Sequence, residues 1–501
     1  MSLPQSSNVT TVDHEQHRRD TEQLAQLGYR QELRRTMSTF SNFAVAFSYL
    51  SVTTGIFALF AFGLGTGGPA FIWSWPLVFA GQLLVGLVFA ELASHYPLAG
   101  SVFQWSKHVG NKDVAWMNGW VYLVAQIATI ASVDFTVPPV IATLLGLDAK
   151  NTQVLIGIAL AVLMLTTVIN IIGVRLLSLI NNIGVIAELI GMLVLGAILL
   201  FFHANHPLSF INNTAGTEVN GTYLGTFFAA MLMSLFVVYG FDTAGTLAEE
   251  THNPSRAVPR ALLIALLGSC VIGGLFLLGA ILAIPNGQGD LAKYMASSTA
   301  LEDIIANAVP SFSSLFFIIV ATAITVCGLS VQANATRLLF SMARDRQLPG
   351  SKMLSRVSPS FGTPVLAILV TAVLGAALIF LTQVEAVLVA VTVVLIYLAY
   401  GICTASTLVA RLRGWPRTPA AFSLGKAGFI INLLAVVWGV AMIVNLSWWR
   451  PAPNTPFYLN AAVYIFVPLI LIIGAIYYYG FQRRRAAAVG GTVPGREPAT
   501  P

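Results

Sequence analysis

Apolar and polar residues are segregated along this chain into long blocks. A polar, charged opening stretch gives way near Phe40 to apolar runs of about 18 to 25 residues separated by polar loops. Twelve such runs start near Phe40, Phe71, Trp116, Gln153, Asn181, Leu224, Ala261, Phe312, Val365, Val387, Phe429 and Phe457. An α-helix rises about 1.5 Å per residue, so each run can cross about 30 Å of hydrocarbon. Each is too long and too continuous for a barrel strand, which needs about ten residues of alternating polarity. The pattern predicts an all-α polytopic membrane protein, a bundle of twelve transmembrane helices in the lipid bilayer.

Composition sharpens this. Of 501 residues, 56% are hydrophobic and 9% charged, against about 25% charged in a soluble domain, and mean hydropathy is +0.80. A soluble globular enzyme is excluded. The net charge of +6 raises the question of a nucleic-acid partner, and the positions of the basic residues answer it. With the N-terminus inside, all of the 26 Lys and Arg residues except Lys150, Lys293 and Arg450 fall on the cytoplasmic side, the bias that orients membrane proteins. Both termini are therefore expected in the cytoplasm, the protein in the cytoplasmic (plasma) membrane, and no nucleic acid is needed.

The opening residues have no short apolar segment followed by a small-residue cleavage site, so no leader is expected to be removed. The tails, Met1 to about Gly28 and Arg483 to Pro501, are expected to be disordered at their extremes. Between Tyr29 and Thr39, Leu33, Thr36 and Met37 set against Arg30, Arg34 and Arg35 suit either a short amphipathic segment at the inner surface or a basic linker. In the long polar loop from Pro285 to Pro310, Lys293 to Ala308 suits a short surface helix. Cys270, Cys327 and Cys403 lie far apart inside apolar runs and read as small core residues.

Two runs are interrupted. Ser48-Tyr49-Leu50-Ser51-Val52-Thr53-Thr54-Gly55 in the first and Val238-Tyr239-Gly240-Phe241-Asp242-Thr243-Ala244-Gly245-Thr246 in the sixth bring hydroxyls and glycines to mid-crossing. Such residues let a helix unwind, and the freed amides and carbonyls then need a ligand, an ion or buried partners. Matched interruptions five spans apart point to a transporter with inverted repeats and a midplane site; the plain alternative is close helix packing.

Ionisable residues inside spans are costly and tend to face the bundle interior. Asp134, Glu188 and Asp242 are candidates for a substrate amine or a proton, whereas Glu91, Glu249 and Glu250 suit structural or gating ion pairs. Glu188 has no charged neighbour in its run, so its partner must come from another helix. A desolvated carboxyl takes up and releases protons near neutrality, which suits a coupling site; permanent hydrogen bonding to hydroxyls of the first or eighth span is the alternative. The stretch Gly63 to Pro69 is glycine-rich but lacks the Gly-Lys-Ser/Thr of a phosphate cradle. With no nucleotide site, uphill movement must draw on an ion gradient or exchange.

Several linked stretches resemble the amino acid-polyamine-organocation superfamily: Ala90 to Ser101, Phe241-Asp242 with Glu249-Glu250-Thr251 and Asn253-Pro254, and Ala335 to Asp345 with Leu348-Pro349. Ser51 to Ile56 and Ser132 to Phe135 are most similar to its amino acid/choline transporter branch. The resemblance covers about Leu27 to Tyr479. It implies two inverted five-helix repeats, residues 40–202 and 224–410, with two further helices at 428–481 and cytoplasmic tails at 1–39 and 482–501.

It also implies that a substrate carboxylate lies on amides at Val52, Thr53, Thr54 and Gly55 and the amine on carbonyls around Phe236, Tyr239, Gly240 and Phe241, with an aromatic lid from Phe236, Tyr239 or Phe241. Gln126, Asp134 and Asp242 would meet the amine end, Glu188 would carry a proton, and Tyr397 and Tyr400 would close the outer side. Two departures stand out. Thr53-Thr54-Gly55 is bulkier than the Gly-Ser-Gly or Gly-Thr-Gly of many relatives, and Glu188 follows Asn181-Asn182 at the spacing where proton-coupled relatives carry a lysine.

The expected function is secondary active transport of an amino acid or amino-acid-like amine such as 4-aminobutyrate by alternating access. A proton gradient is the expected drive, with sodium open, and no bound metal or other cofactor is expected. A choline or polyamine carrier, or an exchanger of the same fold, is the alternative. The assembly is expected to be a monomer or homodimer, and nothing suggests an enzyme.

Overall fold

The computed structural model describes residues 7–380, 385–451 and 456–483. Among these the chain is helical, with only isolated β-bridges. Ten helices among the described residues are long and apolar enough to cross a membrane: Thr39–Gly67, Pro69–His95, Lys112–Leu144, Thr152–Ile172, Val174–Phe202, Pro254–Leu282, Ser313–Arg344, Leu388–Leu412, Gly425–Leu446 and Ala462–Gln482. Two shorter apolar helices, Leu224–Val237 and Val365–Ile379, begin where the sixth and ninth runs were expected. The sixth is short because its backbone leaves the helix after Val237.

Helical periodicity decides which face of each span looks inward. On Val174–Phe202, Leu179, Ile183, Ile186 and Ile190 are exposed, whereas Asn181, Gly184, Val185, Glu188 and Gly191 are buried. The apolar outer face needs a lipid solvent, and the polar and small residues pack inward. A Cβ on Gly184 would come 2.8 Å from Val326, and one on Gly191 2.9 Å from Ile319. These two glycines let Ser313–Arg344 approach closely, with Glu188 between them.

The structure bears on three of these expectations. Inside the extreme of the N-terminal tail, the chain forms the helix Ser7–Gln26, docked through buried Leu24 and Asp20. Asp20 pairs with Arg35 at 3.2 Å and accepts from the Asn253 amide at 2.9 Å. The segment around Met37 is not an amphipathic helix. It runs alongside Thr251, with Met37 accepting from His252 N and donating to Glu250 O, and Leu33 and Met37 are buried in protein. The loop after Pro285 forms two helices, Asp290–Ala296 and Ala300–Ala308, which pack on the second half of the first span. Residues 1–6 and 484–501, with most of the basic C-terminal tail, lie outside the described residues.

Candidate functional site

The first span breaks at a single residue. Thr39–Leu50 ends where Ser51 N–H donates to Phe47 O at 2.8 Å, and Ser51 then turns to φ 26°, ψ 86° before Val52–Gly67 begins. A positive φ is rare for a serine, and its side chain compensates locally. Ser51 Oγ accepts from Thr54 N–H at 3.2 Å and lies 2.6 Å from Thr54 Oγ1. It also donates to Glu188 Oε1 at 3.0 Å, and Thr53 N–H donates to the same oxygen at 3.1 Å. A carboxylate from the fifth span thus sits on the positive end of the second half-helix. Glu188 thus accepts hydrogen bonds from first-span groups in this structure.

The sixth span leaves the helix after Val237, passes Gly240 at φ +91° and resumes at Thr243–Thr246. The two breaks face each other closely in both directions. A Cβ on Gly55 would come 3.1 Å from the Val237 Cα, and one on Gly240 would fall inside the Tyr49 ring. Tyr49 packs edge-on against Tyr239, centroids 6.2 Å apart, and Tyr239 packs against Phe236 at 5.8 Å. Phe241 turns the other way, onto Phe89 and Tyr400, so of the three aromatic lid candidates it stands apart from the pair beside Tyr49.

The candidate carboxylates divide sharply. Asp242 is enclosed by hydroxyls: Ser101 donates at 2.6 Å, Tyr122 at 2.7 Å and Tyr400 at 2.5 Å. In this structure these bonds tie Asp242 to three other segments. The Gly240 amide also donates to Tyr400 Oη at 2.9 Å, so Tyr400 joins the same network. Tyr397, one turn earlier, reaches Leu235 O at 3.4 Å.

Asp134 has neither carboxylate oxygen hydrogen-bonded, although it is 1% exposed. It lies against Gly328, where a Cβ would be 2.5 Å from Oδ1. Gln126 accepts from Tyr49 Oη at 2.6 Å while its Nε2 has no partner. Thr53 Oγ1 and Ser48 Oγ are likewise buried and unpartnered. Cys327, donating weakly to Tyr49 O at 3.4 Å, lies within electrostatic range of both Glu188 and Asp134. Among the described residues no cation pairs with either carboxylate, and no group of three His, Cys, Asp or Glu is placed to hold a metal.

Below the breaks, on the side of the N-terminal helix, ion pairs fasten the bundle. Arg337 holds Glu250 at 3.0 Å, Arg344 holds Glu249 at 2.7 Å, and Arg411 pairs with Glu91. Lys107 reaches Asp345 at 2.6 Å, with Tyr29 donating to the same carboxylate. Every candidate side chain between the breaks is buried, so the breaks enclose a polar cluster of amides, hydroxyls and the unpartnered Asp134 carboxylate. Sequence reasoning missed Tyr49, Ser101, Tyr122 and Cys327 as site residues; Tyr49 and Ser101 stood inside quoted motifs, whereas Tyr122 and Cys327 carried no local signal.

Residues 37–474 match the family model described as amino acid permease. The amino-acid permease BAT1 of Arabidopsis thaliana is 30% identical over 458 residues, covering 85% of this chain and 87% of that protein. The GABA-specific permease of Saccharomyces cerevisiae is 25% identical, covering 74% and 67% respectively. The branched-chain amino acid permease BcaP of Bacillus subtilis is 24% identical, covering 87% and 90%. With its apolar spans, this makes the chain a multi-pass membrane protein that belongs to the amino acid permease family, within the amino acid-polyamine-organocation superfamily.

Proposed function

We propose that the chain is a secondary active transporter that carries an amino acid or an amino-acid-like amine, such as 4-aminobutyrate, across the cytoplasmic membrane by proton-coupled alternating access. The observation that carries this reading is the reciprocal contact of two broken helices, Gly55 against Val237 and Gly240 against Tyr49, around buried groups without partners. Broken backbone at membrane depth is tolerated where it lines a cavity or is buried in protein. In this reading Val52, Thr53, Thr54 and Gly55 offer amides, Asp134 and Gln126 meet the amine, and Phe236, Tyr239, Gly240 and Phe241 form the opposite wall. Asp242 fastens that wall, Tyr397 closes the outer side, and Glu188 carries the proton. Twelve crossings, two inverted repeats over residues 40–202 and 224–410, cytoplasmic termini and a monomer or homodimer complete the proposal.

The two unpartnered oxygens of Asp134 also favour a second reading, a carrier of choline or polyamines, because a buried carboxylate attracts a permanent cation. Uptake into liposomes of labelled 4-aminobutyrate, leucine, choline and putrescine, with and without an inward proton gradient, separates the two. Gradient-stimulated uptake of a zwitterion is the expected result. Uptake of choline or putrescine alone would replace it with the cation carrier, and uptake of none would refute both.

A further inference from the structure

The carboxylate seat of the first-span break is already taken. Thr53 N–H donates to Glu188 at 3.1 Å, Thr54 N–H to Ser51 Oγ at 3.2 Å, and Gly55 N–H to Ser51 O at 3.1 Å. Two of these acceptors belong to the adjoining residue and leave only if the helix start unwinds. Glu188 comes from another helix and can leave by turning its side chain. Also buried in the bundle are Thr53 Oγ1, on the residue whose amide holds Glu188, Gln126 Nε2 and the Asp134 carboxylate, all unpartnered on residues at most 1% exposed.

Resting on the transport reading above, we propose that Glu188 is a tethered stand-in for the substrate's own carboxylate, and that a carboxylate-bearing substrate binds by exchanging with it as Glu188 takes up a proton. Two anions cannot share one amide and one hydroxyl in a buried site, because their repulsion there is strong. Glu188 therefore leaves as a neutral acid. One proton from solution forms an O–H bond on its carboxylate; the Ser51 and Thr53 hydrogen bonds break from Glu188 and form again on the substrate, whose ammonium group moves to Asp134.

The charge count favours the exchange. Without substrate there are two carboxylates, Glu188 on the helix start and Asp134 without a partner; with substrate there are a neutral Glu188, a substrate carboxylate on the helix start and an ammonium–Asp134 pair. The titratable groups on the helices packed against the fifth span compete little for this role. Tyr49 donates to Gln126, Arg337 and Arg344 are paired with Glu250 and Glu249, Arg256 and Arg260 lie at the far end of their helix, and Cys270 is a free, partly buried cysteine. Cys327 lies within electrostatic range of Glu188 and of Asp134. A substrate without a carboxylate leaves Glu188 seated and takes up no proton.

Calorimetric titration of the purified full-length protein in lipid nanodiscs tests this. The ligands are leucine and 3-methylbutylamine, and 4-aminobutyrate and propylamine, each in buffers of different ionisation enthalpy. The expected result is uptake of about one proton per zwitterion, with Kd rising about tenfold per pH unit, and none per amine. Glu188→Gln should bind zwitterions without proton uptake and with a flat pH profile. Zwitterion binding to the parent without proton uptake overturns the proposal, as does proton uptake that persists in Glu188→Gln. Binding of the amines alone also overturns it, because Glu188 is then never displaced. If Glu188→Gln does not fold, the parent's proton count decides. Binding of none of the four refutes the transport reading, and the exchange with it.

Discussion

Gly240→Ala puts a methyl group where the Tyr49 ring stands. The backbone there has φ +91°, a left-handed conformation that costs an L-residue about 1–2 kcal/mol. The ring must also move, and overpacking a filled interior costs about 1–3 kcal/mol. The sum is about 2–5 kcal/mol, of which only the backbone part remains once Tyr49 is itself alanine. Equilibrium unfolding of purified protein in mixed micelles, run as a double-mutant cycle, reads the difference. Gly240→Ala should cost about 2–5 kcal/mol in the parent and about 1–2 kcal/mol beside Tyr49→Ala. Equal costs in the two backgrounds would refute the contact between the breaks, and with it the geometry from which the site is built.

Asp134→Asn removes an unpaired buried carboxylate, so the ligand-free protein should melt at a higher temperature while substrate affinity falls at least about tenfold; a fall in both would mark Asp134 as structural. Arg337→Met leaves Glu250 buried without its partner and should cost about 3–5 kcal/mol in unfolding experiments, most of it recovered in Arg337→Met with Glu250→Leu. Tyr122→Phe takes one of three donors from Asp242 and should cost about 1.5–3 kcal/mol, measured the same way. In the loop helix Ala300–Ala308, burial pushes the Glu302 carboxyl up to about 7 from an ordinary 4.5. The folded helix then holds that proton more tightly than the unfolded chain, so its contribution to stability is full below about pH 4.5 and is lost as pH rises through about 7. Hydrogen exchange of that helix, corrected for intrinsic rates, should quicken across this range in the parent and stay level in Glu302→Gln.

The long spans were legible because hydrocarbon thickness dictates their length, and the starts expected at Phe40, Leu224 and Val365 lie within a residue of the helices. The fifth span was misjudged at its start. Arg175, Ser178 and Asn181 belong to the helix that begins at Val174 and runs on beyond its apolar run. The sixth break announced itself through Gly240, whose φ few other residues adopt. The first falls within the expected stretch Ser48 to Gly55, but on Ser51, whereas Gly55 is helical. Asp134 and Asp242 read alike in sequence. What separates them is their surroundings, since Ser101, Tyr122 and Tyr400 converge on one of them from three separate segments. Glu249 and Glu250 suited ion pairs, but their partners, Arg344 and Arg337 on the helix Ser313–Arg344, carried no sequence signal of that pairing.

The single-residue turn at Ser51 has a mechanical consequence. Thr39–Leu50 is packed on Pro254–Leu282 and Val174–Phe202, whereas Val52–Gly67 is packed on Leu232–Val237 and the loop helix Asp290–Ala296. The span is therefore two arms joined at Ser51, which share Pro254–Leu282 and Ser313–Arg344 as neighbours but differ in the others. The longer arm has 16 residues, about 24 Å at 1.5 Å per residue. A swing of about 10° at the pivot carries its far end by about 4 Å, roughly the van der Waals width of a hydrocarbon chain. A torsional change confined to one serine would thus be enlarged by leverage to about the width of a slender solute.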